Sequence, residues 1–188
     1  MNIQLQPDKP MSAIKEETGR ALDDWFDLLD KEVGIDAGRR KIIEHLYVNH
    51  KVDAWWATTI NIEYEARHNR VEKDGRPKGY SICVTKTIAC DLTAAYKTWL
   101  DPKAQERWLG GALPGAIKRE RENKDLRYDW QHPDCQPGGV VDVVFQDKGG
   151  GKTYVMVTHD RLQGRPEADG ARVAWGDALN RLKSMLEA

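Results

Sequence analysis

Apolar residues recur at helical spacing in the first third of the chain and at every second position in much of the remainder. Leu22, Trp25, Phe26, Leu29 and Val33 fall at i, i+3, i+4, i+7 and i+11, one stripe of an amphipathic helix stopped by Gly34. Asp36 is the expected N-cap of a second helix with the stripe Ile42, Ile43, Leu46 and Tyr47. A third helix is expected from Asp53. Trp55, Thr59, Ile62 and Ala66 share one of its faces, and Trp56 and Ile60 an adjacent one. A helix apolar on two faces must be covered on two sides. The Trp55-Trp56 pair is therefore expected where this module meets a second body.

The period changes to two at Tyr80. Tyr80, Ile82, Val84, Ile88 and Cys90 alternate with small or polar residues, interrupted in phase only by Lys86, as in a half-buried strand. Asp91 then caps a helix carrying Leu92, Ala95, Tyr96 and Trp99. Asp101-Pro102 starts another with Ala104, Trp108 and Leu109, since Asp caps and Pro suits the first helical position. Short strands are expected around Ala116–Arg121, Leu126–Trp130, Val140–Gln146 and Thr153–Arg161, with Gly138-Gly139 and Gly149-Gly150-Gly151 as turns. Pro166 opens a long last helix with Ala171, Trp175, Ala178, Leu179, Leu182, Met185 and Leu186 on one stripe. The class is α+β: a helical module, then an antiparallel meander closed by a long helix.

Between the halves, NRVEKDGRPKG has almost nothing to bury and reads as a linker. We therefore divide the chain into a helical module at 1–68, a linker at 69–79 and an α+β domain at 80–188. The first 68 residues carry a net charge of −4 and the remainder +3, which gives the overall −1. That balance disfavours a dedicated nucleic-acid binder. No apolar run reaches the ~18 residues of a membrane span, and MNIQLQPDKPM lacks a signal-peptide core. Cys83, Cys90 and Cys135 are odd in number and irregular in spacing, so they read as free thiols. The expectation is a cytoplasmic protein without nucleic-acid or membrane partners.

The order of elements resembles the START-like superfamily (SRPBCC, the helix-grip fold). Within it, the chain is most similar to the branch named after activators of the heat-shock chaperone ATPase. The resemblance is carried by VTKTIACDLTAAYKTWLDPKAQERWL (Val84–Leu109), LRYDW (Leu126–Trp130), VMVTHDRL (Val155–Leu162) and WGDALNRLKSML (Trp175–Leu186). The N-terminal TGRALDDWFDLLD and RRKIIEHLYVNHKVDAWWATTINIEYEARHNR segments resemble a helical domain of unknown function found fused ahead of such domains. The resemblance implies a curved antiparallel sheet wrapped around the last helix. The connection between Trp130 and Val140 is short, which implies fewer strands than in larger members and a small or filled cavity.

A sheet wrapped round a helix tends to leave an apolar pocket with a few polar groups. The residues expected to line it are Trp99, Trp108, Trp130, Val143, Phe145, Val155, Val157, His159, Trp175 and Leu179. Each large aromatic also has a simpler role as core. His159 shares the phase of Val155 and Val157, so it orients a ligand or serves as a hydrogen-bonded structural histidine. Asp160 points to the opposite face and is poorly placed to orient it, so an enzyme built on His159 ranks last. The leading function is non-enzymatic binding of a small apolar or amphipathic ligand, with the helical module regulating it or docking a partner. The alternative is a protein–protein adaptor or chaperone-associated regulator with a filled cavity.

Two motifs are set aside. QDKGGGKT (Gln146–Thr153) nearly spells a phosphate-binding loop, but Gln146 stands where the motif needs glycine, and the following YVMVTHD alternates like a strand. His132-x-x-Cys135 lacks a second close pair of ligands and sits between Pro133 and Pro137. No metal or cofactor is expected. His45 and His50 read as solvated. KRERENKDLR (Lys118–Arg127) alternates its sign of charge and reads as a solvated sheet face.

Overall fold

The computed structural model describes residues 1, 3, 11–111, 115–133 and 135–188. They divide into two compact units, one within Pro7–Lys78 and one of Gly79–Ala188 that includes Met1 and Ile3.

The helical unit contains α1 (Ile14–Thr18), α2 (Leu22–Glu32), α3 (Arg39–Asn49) and α4 (Ala54–Arg67). The α2 stripe turns inward: Trp25, Phe26 and Leu29 are buried together with Ile42, Leu46 and Ile60. Burying each of the aliphatic members contributes about 1.5–3 kcal/mol. Asp53 caps α4, its carboxylate accepting from the Trp55 and Trp56 amides at 2.9 and 3.4 Å. Three expectations need correction. Asp36 does not cap α3: Ile35–Ala37 form a 3-10 turn, and Gly38, at φ +82°, is the N-cap. Asp36 pairs instead with Arg70. Tyr47 lies outside the core at 56% exposure. Trp56, expected on a face left for a second body, is buried in the helical unit's own core.

The second unit holds five strands, β1 (Tyr80–Ile88), β2 (Gly115–Arg121), β3 (Asp125–Trp130), β4 (Gly139–Gly149) and β5 (Lys152–Leu162). Their order is β1-β5-β4-β3-β2, and every pairing is antiparallel. Between β1 and β2 run α5 (Leu92–Leu100) and α6 (Pro102–Trp108), and α7 (Arg165–Leu186) closes the chain. Alternation in β5 sends Thr153, Val155, Val157 and His159 inward, and that in β4 sends Val141, Val143 and Phe145 the same way. The register pairs Val143 with Val157 and Phe145 with Val155. On α7, Ala168, Ala171, Ala174 and Ala178 are buried beside Trp175, Leu179 and Leu182. Small residues let the helix approach the sheet, leaving most of the volume to Trp175.

Candidate functional site

The interior between sheet and helices is built by the local signals that place its aromatics. Asp91 caps α5 by accepting from the Ala94 amide at 2.8 Å, and Asp101 caps α6 by accepting from the Lys103 amide at 3.0 Å. These caps set the phases that turn Trp99 and Trp108 inward. Gln105 then donates to the Trp99 carbonyl at 2.8 Å, and Arg181 of α7 to the Trp108 carbonyl at 2.8 Å. The Trp99 indole donates to the Tyr128 hydroxyl at 3.0 Å. Burial pushes the Tyr128 phenol up to about 12, so it remains protonated and available as an acceptor.

All ten residues expected to line a pocket converge here, and none is more than 3% exposed. They pack on one another. Ring centroids lie 4.6 Å apart for Trp99 and Trp108, 5.7 Å for Trp99 and Phe145, 6.1 Å for Trp99 and Trp175, and 5.3 Å for Trp130 and Trp175. Among the described residues the aromatics pack closely around one another, at the density of an ordinary protein interior.

His159 is the polar group of this interior. Its Nδ1 accepts from the Trp175 indole at 3.3 Å, and its ring meets Trp130 edge-on at 5.1 Å. An indole only donates, so Nδ1 carries the lone pair and Nε2 the proton. That Nε2–H has no acceptor among the described residues, and neither do the indole N–H groups of Trp108 and Trp130. Each unmatched buried donor costs about 1–3 kcal/mol. Burial, with a smaller contribution from His132, pushes the His159 pKa down to about 3. Gly139 makes room for the ring: a β-carbon there would stand 3.2 Å from His159 Nε2.

With this geometry in place, comparison with known proteins is specific for part of the chain. Residues 110–187 match the model of the family described as activator of Hsp90 ATPase homolog 1-like protein, AHSA1. The match is confined to 78 of the 188 residues, and it marks a likeness of this stretch to that family. No curated protein matches the sequence. Among solved structures, an AHSA1-like protein from Rhizobium etli is 20% identical, with a TM-score of 0.52 over 60% of this chain and 84% of its own. The Aha1 dimer from Colwellia psychrerythraea is 15% identical, with a TM-score of 0.50 over 57% of this chain and 96% of its own. An Hsp90 activator from Plasmodium falciparum is 14% identical, with a TM-score of 0.50 over the same shares, 57% and 96%. At these identities, and over 57–60% of this chain, the likeness is one of fold: a five-stranded antiparallel sheet with a long C-terminal helix, consistent with the helix-grip arrangement.

The motifs set aside take ordinary places. Gly149, Gly150 and Gly151 all have positive φ and turn β4 into β5, so QDKGGGKT is a hairpin. His132 and Cys135 form a backbone turn, and His132 Nε2 lies 2.7 Å from the Met1 carbonyl. No helix is long and apolar enough to cross a membrane among the described residues. All three cysteines are free thiols.

The KRERENKDLR stretch is more organised than a solvated face. Arg119 reaches Asp125 at 3.0 Å and Asp142 at 3.1 Å, Arg121 also pairs with Asp125, and Arg127 approaches Asp142 at 3.2 Å. Hydrogen bonds from Arg121 and Arg119 hold the Asp125 carboxyl below its ordinary value. Alternating sign along the chain was the available signal, but the partners are set by strand register. Two further residues carry no signal in the sequence. Tyr128, which receives the Trp99 indole, sits between charged neighbours with no motif around it. Gly139 looks like a turn glycine, yet lies in β4 against His159.

Proposed function

We propose that the α+β unit is a protein-docking module, with a chaperone ATPase of the Hsp90 class as the partner to which the family description points. The observation that carries this reading is the close packing of the interior. With all ten wall residues at 3% exposure or less, a carrier of apolar cargo would have to displace packed tryptophans before gaining any contact. A regulator acting through its surface needs no such displacement. The matched family is described by Hsp90 ATPase activation, and a structural neighbour is itself described as an Hsp90 activator.

The test is calorimetric titration of the full chain into the Hsp90-class chaperone of its own host, together with the chaperone's ATP hydrolysis rate. Saturable binding and a changed rate are expected. The absence of both would overturn the proposal.

The unmatched donors favour a second reading. Three N–H groups without acceptors among the described residues, on Trp108, Trp130 and His159, would be satisfied by an amphipathic molecule carrying a hydrogen-bond acceptor. Native mass spectrometry of protein from its own host separates the two readings. A retained small molecule supports the ligand reading, and a bare chain opposes it.

A further inference from the structure

We infer that Glu32, His45 and His50 form a binding site for a divalent transition-metal ion on the helical unit. In the sequence these histidines look solvated, because nothing in their spacing links them to Glu32. The fold brings all three together. Glu32 is the last residue of α2, His45 lies on α3, and His50 is the residue that ends α3. Their side chains are only partly exposed, at 18% for His45, 21% for His50 and 39% for Glu32.

The donor atoms form a tight triangle. His45 Nε2 lies 2.9 Å from Glu32 Oε2, His50 Nε2 lies 3.1 Å from the same oxygen, and the two Nε2 atoms are 3.2 Å apart. In a tetrahedral zinc site with bonds of about 2.0–2.1 Å, ligand atoms stand about 3.3–3.4 Å from one another. The triangle is within a few tenths of an ångström of that spacing without rearrangement. Hydrogen bonding alone serves the cluster poorly. Both imidazoles would aim an Nε2–H at one oxygen, which brings two N–H groups together. A dication between them engages all three lone pairs at once.

The surroundings fit the same reading. Asn49 Nδ2 lies 2.8 Å from His45 Nδ1. Turned half over, the amide presents its oxygen to an Nδ1–H and leaves Nε2 free to coordinate, the kind of support that metal-bound histidines usually have. The Trp25 ring meets His50 edge-on at 5.6 Å and limits its rotation. Two imidazoles and one carboxylate select zinc, cobalt, nickel or copper over calcium and magnesium, which prefer oxygen ligands. The exposed side of Glu32 leaves a fourth position for water. Such an ion would tie the end of α2 to the end of α3.

The test is calorimetric titration of the full chain with Zn2+, and visible absorption on adding Co2+. One equivalent is expected to bind, with the absorption bands of a low-coordinate nitrogen and oxygen site. H45A, H50A and E32Q should each weaken binding by at least about tenfold, with far-UV circular dichroism unchanged. If H50A unfolds, imidazole resonances of the unsubstituted protein provide the same answer, because Zn2+ should shift those of His45 and His50 before His68, His132 or His159. Equal Zn2+ binding by the unsubstituted chain and a folded H45A/H50A double variant would overturn the site. So would shifts confined to the other histidines.

Discussion

The Trp175 indole donates to Nδ1 of His159 at 3.3 Å, joining the central residue of α7 to the inward face of β5. The contact requires a neutral imidazole with its proton on Nε2, and burial holds the pKa at about 3, against an ordinary value of 6.5. Above pH 6.5 the ring is neutral folded or unfolded, so its contribution to stability is fully present. As the pH falls from 6.5 toward 3, only the unfolded chain takes the proton, and that stability drains away. The slope from this one group is up to about 1.4 kcal/mol per pH unit. Urea unfolding across that range should show the loss, and H159Q should be flatter by this amount. Parallel profiles for the two proteins would mean that His159 is protonated in the fold.

Trp175 is fully buried among Trp99, Trp130 and His159. Trp175→Ala is expected to destabilise the α+β unit by about 3–5 kcal/mol, the range for removing a large aromatic from a packed core. The measurement is the unfolding midpoint in denaturant at constant slope. A cost of less than about 1 kcal/mol would show that the interior has room, and would move the functional reading toward a ligand carrier.

Gly115 begins β2 at φ +126°, and a β-carbon there would stand 1.9 Å from the Asp129 carbonyl oxygen. Backbone cannot yield as a side chain can, so Gly115→Ala should part the start of the β2–β3 ladder. Amide exchange at Ile117 and Tyr128 should accelerate while β4 and β5 stay protected. Unchanged protection would show that the strand accommodates the methyl group.

ATP with magnesium is expected to leave the melting temperature of the α+β unit unchanged. The GGGKT segment leads into β5 and not into a helix, so no row of helix N-terminal amides stands there to hold phosphate. A saturable rise with nucleotide concentration would contradict the hairpin assignment.

Trypsin is expected to cut first at Lys73 or Lys78. Residues 73–78 are all exposed, whereas Gly79 and Tyr80 are buried. Mass spectrometry of early fragments identifies the site, and first cleavage within α4 would place the domain boundary elsewhere.

The helices and strands were legible because their signals are local. The Trp25, Phe26 and Leu29 stripe, the two-residue period of β5 and the caps Asp53, Asp91 and Asp101 each lie within a few residues of the element they control. The inward phase of Val143, Phe145, Val155, Val157 and His159 followed from alternation alone. The five-residue α1 is too short to show a period, and Gly38 displaced Asp36 as a cap because positive φ is a backbone property that no pattern of polarity displays.

Only the tertiary structure decided how the space between these elements is used. Alternation places His159 on the inner face, but packing against Trp130 and Trp175 decides that it is neutral and enclosed. The same holds on the helical unit, where Glu32, His45 and His50 meet because the ends of α2 and α3 come together. The physical reason is common to both cases. Periodicity reports which side of one element avoids water, whereas volume, partner atoms and protonation depend on residues brought near from distant parts of the chain.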